Sequence, residues 1–343
     1  MNAPLATTDA PAVEGDEPQP HRRPLSAIVG NDTFRIFLAL LTLIVIFSVL
    51  RPNAFPTVNN ALNVLSDAAV LLVLAVGATY VIVTAGIDLS VGGVLVFSSV
   101  TSALTMAAIG GESAGALLAG LLIALASGAA WGLLNGILVA RARIPALIAT
   151  LATMGASLGV SLLITGGVDV RDVPFSLVET VGSGTFAGIP VLVWISGLVA
   201  VVFGVVLAQT RFGRYTYAMG SNPEALRRTG VNNAAHLIKV YALAGTLAGL
   251  GGYLSVARFA TTTLGGHSSD NLQVITAVVL GGASLFGGRG VVVGTVIGVF
   301  IPAVLQNGFV VLNVSPYWQQ VAIGAVLVGA VWLDQMRRRA SSR

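Results

Sequence analysis

Cysteine is absent from the 343-residue chain, and charged residues make up only 9% of it. The absence of cysteine excludes disulfides, thiolate metal sites and cysteine nucleophiles. The scarcity of charge excludes an ordinary soluble protein, because soluble domains carry roughly a quarter charged residues. What the chain has instead is apolar surface: 55% of its residues are hydrophobic, 41 are glycine and the mean hydropathy is +0.88. Most of the chain is therefore expected to lie in lipid.

Nucleotide-binding and catalytic patterns are also missing. Lys239 is the only lysine, and no Gly-x-x-x-x-Gly-Lys-Ser/Thr loop surrounds it, so the chain is not expected to hydrolyse ATP. His21, His236 and His267 lie far apart in the sequence, and each is expected to be a solvated surface residue. The sequence therefore predicts no catalytic residues, no metal site and no cofactor.

Ten apolar runs are long enough, or nearly so, to cross a bilayer core, which takes about 20 apolar residues. They are 34–50, 62–84, 89–109, 115–140, 144–165, 189–208, 238–257, 272–286, 291–312 and 318–333. The eighth run is short and carries Gly281 and Gly282, which predicts a broken or re-entrant helix. The sequence thus predicts an all-α integral membrane protein, a polytopic bundle of about ten transmembrane helices.

Basic residues lie mostly on one side of this topology. With both termini inside, about 15 of the 18 lysines and arginines fall on inside segments, and only Arg51, Arg171 and Arg258 fall outside. The positive-inside rule therefore places both termini in the cytoplasm. The same distribution argues against a nucleic-acid partner, because the charge is spread over short loops instead of forming one basic stripe.

Composition divides the chain into three parts. Residues 1–33, acidic and proline-rich before His21, are predicted to be a disordered cytoplasmic tail and not a signal peptide. Residues 34–334 form the predicted membrane domain, which includes a cytoplasmic loop at 210–237. Residues 335–343 form a predicted basic cytoplasmic tail.

Glycines recur at four-residue spacing, which is typical of closely packed membrane helices. The series are Gly128/Gly132/Gly136, Gly290/Gly294/Gly298, Gly155/Gly159 and Gly245/Gly249. Similar glycine-rich segments at 85–93 and 281–288 accompany the two longer series, and Asn135-Gly136 and Asn307-Gly308 end or follow them. This similarity indicates either a weak internal repeat or a chance likeness in a glycine-rich chain.

Carboxylates are scarce in the predicted spans. Asp67 lies near the outer end of the second run, and Asp88 lies in the turn between the second and third. Each is interpreted first as a helix cap, which stabilises a helix end by about 1 kcal/mol, with substrate contact as the alternative. No series of buried ionisable residues crosses the spans, which argues against a proton-coupled pump.

The loop 210–237 contains the signals of one short helix. Ser221 or Asn222 can cap it, Pro223 suits its first position and Glu224 suits its positive end. In the last turn lie Arg227 and Arg228, and Gly230 suits the exit. Two helical turns are marginal alone in water. The segment is therefore expected to pack on its own bundle or on a partner, unless it is a simple basic loop.

Three motifs in this order resemble the permease subunits of bacterial ribose-type ATP-binding-cassette (ABC) importers, which serve ribose, xylose, galactose, arabinose and related molecules. The motifs run from Gly86 to Gly92, from Arg211 to Val231 and from Gly281 to Gly290. The similarity extends from about Phe34 to Leu333 and leaves the N-terminal tail uncovered.

The resemblance implies an inner-membrane subunit that dimerises, usually with itself, and moves a monosaccharide by alternating access. Its implied partners are a cytoplasmic ABC ATPase and a periplasmic or lipid-anchored sugar-binding protein. The residues implied in docking to the ATPase are Asn222, Pro223, Glu224, Leu226, Arg227, Arg228 and Gly230. The candidate translocation-path residues are Asp88, Ser90, Asn135, Ser284 and Asn307.

Two other classes of transport protein remain open from the residues alone. An ion-coupled secondary transporter would need its own buried ions, and the spans hold almost none. A passive channel would be expected to show polar or charged rings along its pore, whereas these spans consist of apolar and small residues.

Overall fold

The computed structural model of the protein describes residues 31–267 and 269–341. Thirteen helices lie in these ranges, together with one π-helical turn and one small hairpin. The helices are α1 Asn31–Leu50, α2 Val58–Val83, α3 Val91–Ala108, α4 Ala114–Ala140, α5 Ala146–Thr165, α6 Phe175–Leu177, α7 Val191–Gln209, α8 Arg211–Ser221, α9 Pro223–Arg228, α10 Asn233–Phe259, α11 Asp270–Leu280, α12 Val292–Val311 and α13 Pro316–Ser341. The π-turn is Val178–Gly182, and the strands are β1 Thr185–Phe186 and β2 Ile189–Pro190.

Within the described ranges, seven helices are long and apolar enough to span a membrane: α2, α3, α4, α5, α7, α10 and α12. Each of the ten predicted runs coincides with a helix, which confirms an all-α polytopic membrane protein. The apolar part of α1, Ile36–Leu50, is shorter than these seven.

Two predicted boundaries differ from the structure. Helix α13 continues to Ser341, so most of the predicted basic tail 335–343 extends the last helix. The predicted tail 1–33 lies, up to residue 30, outside the described residues, and α1 already begins at Asn31.

The eighth run is a broken helix, as its glycines predict. Helix α11 has 11 residues and ends before Gly281. The chain then forms a non-helical turn, 281–290, in which Gly282, Gly287 and Gly288 have φ of +89°, +83° and +73°. The helical part of this run is therefore shorter than the predicted 272–286.

Helices α2, α3 and α10 form the centre of the bundle. The side chains of Leu74, Tyr80, Leu95, Tyr241 and Leu254 are almost fully buried there. Helices α4, α5 and α7 instead expose large apolar side chains on one face, such as Leu122, Leu163 and Leu198. An apolar exterior over a packed centre is the distribution that a lipid environment favours.

Three of the four glycine series let helices approach closely, as predicted, and these include Gly245/Gly249 of α10, which meet the backbone of α4. On α4, a Cβ added to Gly128 or Gly132 would collide with the backbone of α10, at Gly245 and Tyr241 respectively. On α12, a Cβ at Gly294 or Gly298 would collide with the backbone of the α11 segment. Gly155 and Gly159 of α5 are different, because a Cβ at either position would meet nothing within 4 Å. This pair therefore packs no neighbouring helix within the described chain.

One end of the bundle carries the small non-helical elements. Glu112, in the α3–α4 loop, accepts hydrogen bonds from the backbone N–H groups of Phe175 (2.8 Å) and Ser176 (2.9 Å) at the start of α6. The β1–β2 hairpin leads directly into α7, and α8 follows the other end of α7. Because α7 is 19 residues long, or about 28 Å, the hairpin and helices α8 and α9 lie at opposite ends of the bundle.

Candidate coupling face and translocation path

The short helix predicted in the loop 210–237 is α9. Asn222 has extended backbone angles, and its Oδ1 accepts a hydrogen bond from the N–H of Ala225 at 2.9 Å. Pro223 occupies the first helical position, and Gly230 has a φ of +84° just beyond the end. Between the two residues considered for the cap, the structure thus selects Asn222. These signals act because a side-chain acceptor and a left-handed exit satisfy the backbone groups that helix ends leave unpaired.

The exposed face of α9 is charged. Arg227 Nη2 donates to Glu224 Oε1 at 2.8 Å, and Arg228 Nε lies 3.7 Å from the same oxygen. The hydrogen bond from Arg227, and its charge, lower the pKa of the Glu224 carboxyl and raise that of the guanidinium. All three side chains are more than half exposed, so the cluster adds little stability to the fold. It leaves two cations and one anion facing outward.

Two contacts anchor α9 to the bundle. Leu226 is the one buried side chain of this helix. Asn233, at the start of α10, donates from Nδ2 to the carbonyl of Pro223 at 2.7 Å. Helix α9 is therefore held to the start of α10, and it follows α8 directly in the chain.

Helix α8 occupies the part of the loop in which no helix was predicted. Thr210 caps it, with Oγ1 accepting a 3.3 Å hydrogen bond from the N–H of Gly213. Its buried residues Gly213, Thr216 and Met219 face the bundle. Their spacing of three is close to one helical turn, and together with the Thr210 cap it was the signal that could have revealed the helix.

Helix α8 packs on both glycine-rich turns of the bundle. Tyr217 Oη donates to the carbonyl of Gly290 at 2.6 Å, and burial raises the pKa of this phenol, which keeps it a donor. A Cβ added to Gly220 would collide with the carbonyl of Val83 and the N–H of Gly288. The turns themselves are joined, because the Gly288 N–H donates to the Val83 carbonyl at 2.9 Å.

The two segments that suggested an internal repeat thus meet beneath α8. Their contact brings the turn after α2 against the turn after α11. Whether they are related copies stays a prediction, since contact alone does not measure similarity.

Three of the five candidate path residues belong to one hydrogen-bonded chain. Asp88 Oδ1 accepts from the Ser90 N–H (2.8 Å) and from Ser90 Oγ (2.6 Å). Asn135 Nδ2 donates to Ser90 Oγ at 2.7 Å, and Thr153 Oγ1 donates to Asn135 Oδ1 at 2.6 Å. All four side chains are buried. This series of hydrogen bonds connects the turn before α3 to α4 and α5.

This geometry favours the capping interpretation of Asp88. The N-cap residue of α3 is Ser90, whose own side chain makes no capping hydrogen bond. The Asp88 carboxylate instead accepts the hydrogen bond from the Ser90 N–H. Ser90 and Asn135 are only 1% and 0% exposed. The hydrogen-bonded side chains therefore hold the start of α3, α4 and α5 together.

The other two candidate path residues lie elsewhere. Ser284 is buried in the 281–290 turn, where its carbonyl accepts from the Gly287 N–H at 2.9 Å. Asn307 of α12 forms a reciprocal amide pair with Asn60 of α2, with donor–acceptor distances of 3.0 and 2.9 Å. The five residues therefore do not form one continuous lining.

Three sequence expectations about ionisable residues were wrong. Asp67 is not a helix cap, because its Oδ1 accepts from Arg258 Nη2 at 2.9 Å and from Nε at 3.2 Å. His236 is buried, with Nε2 3.1 Å from Thr216 Oγ1 and its ring against Phe212. His267 is also buried.

The position of His267 depends on two partners. Its Nδ1 lies 2.6 Å from Asp270 Oδ2, and its Nε2 lies 3.0 Å from Ser255 Oγ. Asp270 lies three residues after His267, at the start of α11, and Ser255 lies twelve residues before it, near the end of α10. In the parts of the chain that the structure describes, no group of three or more histidine or carboxylate side chains could hold a metal ion.

Comparison with known proteins supplies the family. The family model described as a branched-chain amino acid transport system / permease component matches residues 60–331. The ribose import permease of Escherichia coli K12 is 42% identical over 88% of this chain and 93% of that relative, and that of Bacillus subtilis 168 is 39% identical over 88% and 92%. The D-allose transport system permease of E. coli K12 is 32% identical over 92% and 95%. No solved structure gives a significant match.

Proposed function

Because this chain belongs to the family of ribose-type ABC importer permeases, we propose that it carries a monosaccharide, a pentose or hexose, across the inner membrane into the cytoplasm. The observation that carries this proposal is the 42% identity with a ribose import permease over 88% of the chain. A second relative, at 32% identity, is named for D-allose, which is also a monosaccharide.

The energy source is a separate ABC ATPase that docks on α9. The chain has no phosphate-binding lysine loop of its own. Helix α9 supports the docking role because Glu224, Arg227 and Arg228 face outward while Leu226 and Asn233 hold the helix to the bundle. ATP binding would draw the docked helices together, and α8 would pass the motion to the turns at Val83 and Gly288.

This arrangement corresponds to alternating access. The two turns are non-helical and join the inner ends of α2 and α11 to the next helices. Movement of α8 against them would tilt these helices and expose the path on the opposite face. A periplasmic or lipid-anchored binding protein would deliver the sugar at the hairpin end.

Transport by a reconstituted complex tests the proposal. The permease is assembled in proteoliposomes with its ATPase and binding protein, and uptake of radiolabelled D-ribose and D-allose is measured with and without ATP. We expect uptake that requires both ATP and the ATPase and is insensitive to proton uncouplers. Uptake without the ATPase that uncouplers abolish would instead indicate an ion-coupled secondary transporter.

Charge reversal on α9 tests the docking role. Glu224→Arg or Arg228→Glu should abolish ATP-dependent uptake while leaving membrane insertion and folding intact. The matched control is Glu179→Arg, which reverses an exposed charge in the π-turn at the hairpin end. Normal uptake by the Glu224 variant would contradict the role of α9.

A second copy of this chain completes the transporter in this proposal. The open face of α5 supports a homodimer, since Gly155 and Gly159 lie four residues apart with space beside both. Small residues at this spacing let two membrane helices pack backbone to backbone.

The proposed orientation has α8, α9 and both termini in the cytoplasm. The chain contains no cysteine, so single introduced cysteines report orientation without background. Ser183→Cys at the hairpin end should react with a membrane-impermeant maleimide added outside cells. Ser221→Cys, exposed beside α9, should react only after the membrane is permeabilised, and the reverse pattern would invert the topology.

A further inference from the structure

The β1–β2 hairpin exposes a large aromatic side chain next to its turn. Phe186 is 69% exposed, although it belongs to none of the membrane-spanning helices. Its ring packs edge-to-face on that of Trp194, near the start of α7, with ring centroids 6.0 Å apart and an interplanar angle of 72°. Trp194 is itself 48% exposed. Contiguous apolar surface of this kind marks a site of contact with a protein or a membrane.

Trp194 begins the apolar stripe on the outside of α7. The exposed residues Leu198, Val201 and Val205 follow it at spacings of four, three and four, so all of them lie on one face of the helix. Helix α7 is one of the spanning helices, and this face belongs to the apolar exterior of the bundle. Because the Phe186 ring packs on Trp194, the exposed surface of the hairpin is continuous with the surface that contacts lipid.

The hairpin and α7 carry no charge. Every residue between Glu179 and Arg211 is uncharged. The connection that precedes α6 is different, since it carries Asp169, Arg171 and Asp172. Charged side chains are costly below the lipid headgroups. Of these two segments, only the hairpin therefore has a composition that suits contact with lipid.

Backbone hydrogen bonds also prepare the hairpin for an apolar environment. Strands β1 and β2 pair in antiparallel register, and the Val191 N–H donates to the Gly184 carbonyl at 2.9 Å. The indole Nε1 of Trp194 donates to the Phe186 carbonyl at 3.1 Å. Polar groups left unpaired away from water are costly. The pairing of these groups lowers the cost of placing this side of the hairpin against lipid.

The other side of the hairpin is polar. Ser183 and Thr185 line a cavity of about 370 Å³ together with Asn59 and Asn63 of α2. Successive residues of a strand point to opposite faces, so the side chains of Thr185 and Phe186 diverge. The hairpin thus has one polar face and one apolar face, as amphipathic elements at the membrane interface do.

We propose that the β1–β2 hairpin is an anchor in the membrane interface, with the Phe186 and Trp194 rings among the lipid headgroups and upper acyl chains. Its partner is the phospholipid bilayer at the end of the bundle remote from α9. Tryptophan is enriched at this level of membrane proteins. The polar residues Ser183 and Thr185 stay in water. The anchor fixes the depth of α7, which leads directly into α8 at its other end, and it does not depend on the solute that is carried.

Spin labelling of the full chain tests the anchor, and the absence of cysteine allows single labels. Phe186→Cys and its matched control Thr185→Cys are labelled with a nitroxide in nanodiscs of phosphatidylethanolamine and phosphatidylglycerol. Electron paramagnetic resonance then measures collisions with oxygen, which concentrates in lipid, and with a water-soluble nickel chelate. The label at position 186 should favour oxygen over nickel and lie about 5–10 Å into the headgroup–acyl boundary. The label at position 185 should favour nickel.

Two outcomes would overturn the anchor. A label at position 186 that nickel reaches as readily as it reaches position 185 would place both faces of the hairpin in water. Protection of position 186 from oxygen and nickel alike would show that protein covers Phe186, either a second copy of this chain or a binding protein.

Fluorescence examines the hairpin without a label. The difference in emission between the wild type and Trp194→Phe gives the share of Trp194, and lipids brominated at different depths quench it. Lipids brominated near the headgroup should quench this share more strongly than lipids brominated near the chain ends. Phe186→Ser should weaken the shallow quenching, because the hairpin loses its apolar side chain. Equal quenching of Trp194 with and without Phe186 would remove the hairpin from the anchor and contradict the proposal.

Discussion

Asn135 is the residue on which the interior polar network depends. It is fully buried, donates to Ser90 Oγ and accepts from Thr153 Oγ1, so one amide joins α4 to the start of α3 and to α5. Asparagine supplies a donor and an acceptor on one flat group. No single apolar side chain can replace both contacts.

Replacing Asn135 with alanine should therefore destabilise the protein. We expect a loss of about 1–3 kcal/mol, because two buried hydrogen bonds are lost and a small cavity is left. The measurement is thermal or denaturant unfolding in detergent. Asn53→Ala, at an exposed position in the α1–α2 loop, is the control and should change little. Equal stability of the two variants would contradict a structural role for the network.

Some contacts of the polar residues could be predicted from the sequence, and others could not. Asp88 was interpretable as a cap because the N–H group that donates to it, that of Ser90, lies two residues away. Asp67 and Arg258 are separated by 191 residues, and the ion pair between them depends on how α2 and α10 pack. Local patterns predict local bonds, whereas a pairing over that distance requires the tertiary structure. The same reason explains why the burial of His236, whose partner Thr216 lies 20 residues away, was not foreseen. His267 is different, because its partner Asp270 lies only three residues away.

The α4–α10 pair is the element most dependent on glycine. Gly128 and Gly132 of α4 lie against Gly245 of α10, with backbone in contact with backbone. Any Cβ here meets main-chain atoms, which cannot move aside as a flexible side chain does.

Gly132→Ala should accordingly disrupt this packing. A separation of the two helices by even an ångström would loosen contacts along their length, so we expect a loss of about 2–4 kcal/mol or failure to accumulate. Membrane-fraction yield and melting temperature measure it. Gly197→Ala on α7, where a Cβ meets nothing within 4 Å, is the matched control. A normal Gly132→Ala protein would show that the helices tolerate a wider spacing.

The link between the α3–α4 loop and α6 should depend on pH. Hydrogen bonds from Ser176 and Phe175 lower the pKa of the Glu112 carboxyl. Because the folded-state pKa is below the usual value, the link contributes above the ordinary glutamate pKa and is lost as pH falls through the lowered one. Hydrogen exchange at the Phe175 and Ser176 amides should show protection at neutral pH that disappears in strong acid. Glu112→Gln should lack that pH dependence.

Elements differed in how well their sequences predicted them. Helix α9 has a cap, a first-position proline and an exit glycine, so all of its signals are local. Helix α8 has a weak pattern because two of its three buried residues, Gly213 and Thr216, are small, and only Met219 is large and apolar. The break after α11 was foreseen from its glycines, but its contact with the turn after α2 was not.

At the scale of the whole molecule, the open face of α5 is the proposed surface for a second copy. Gly155→Leu or Gly159→Leu would add a large side chain to α5 at a position where a Cβ meets nothing within 4 Å. We expect each to weaken dimer formation by about tenfold or more while the monomer stays folded. Crosslinking or mass photometry in detergent measures the dimer, with Gly197→Leu on α7 as the control. A dimer unaffected by both α5 variants would place the interface on another face.

Stiffness is unevenly distributed in this bundle. The α4–α10 contact is closed backbone to backbone, whereas the turns at 84–90 and 281–290 lie between helices and keep only a few hydrogen bonds of helical spacing. Both compliant segments meet directly beneath α8 and share the bond between Gly288 and Val83. In the proposed docking role of α9, a force applied through α8 would therefore reach both turns at once, and the helices on either side would turn about that point.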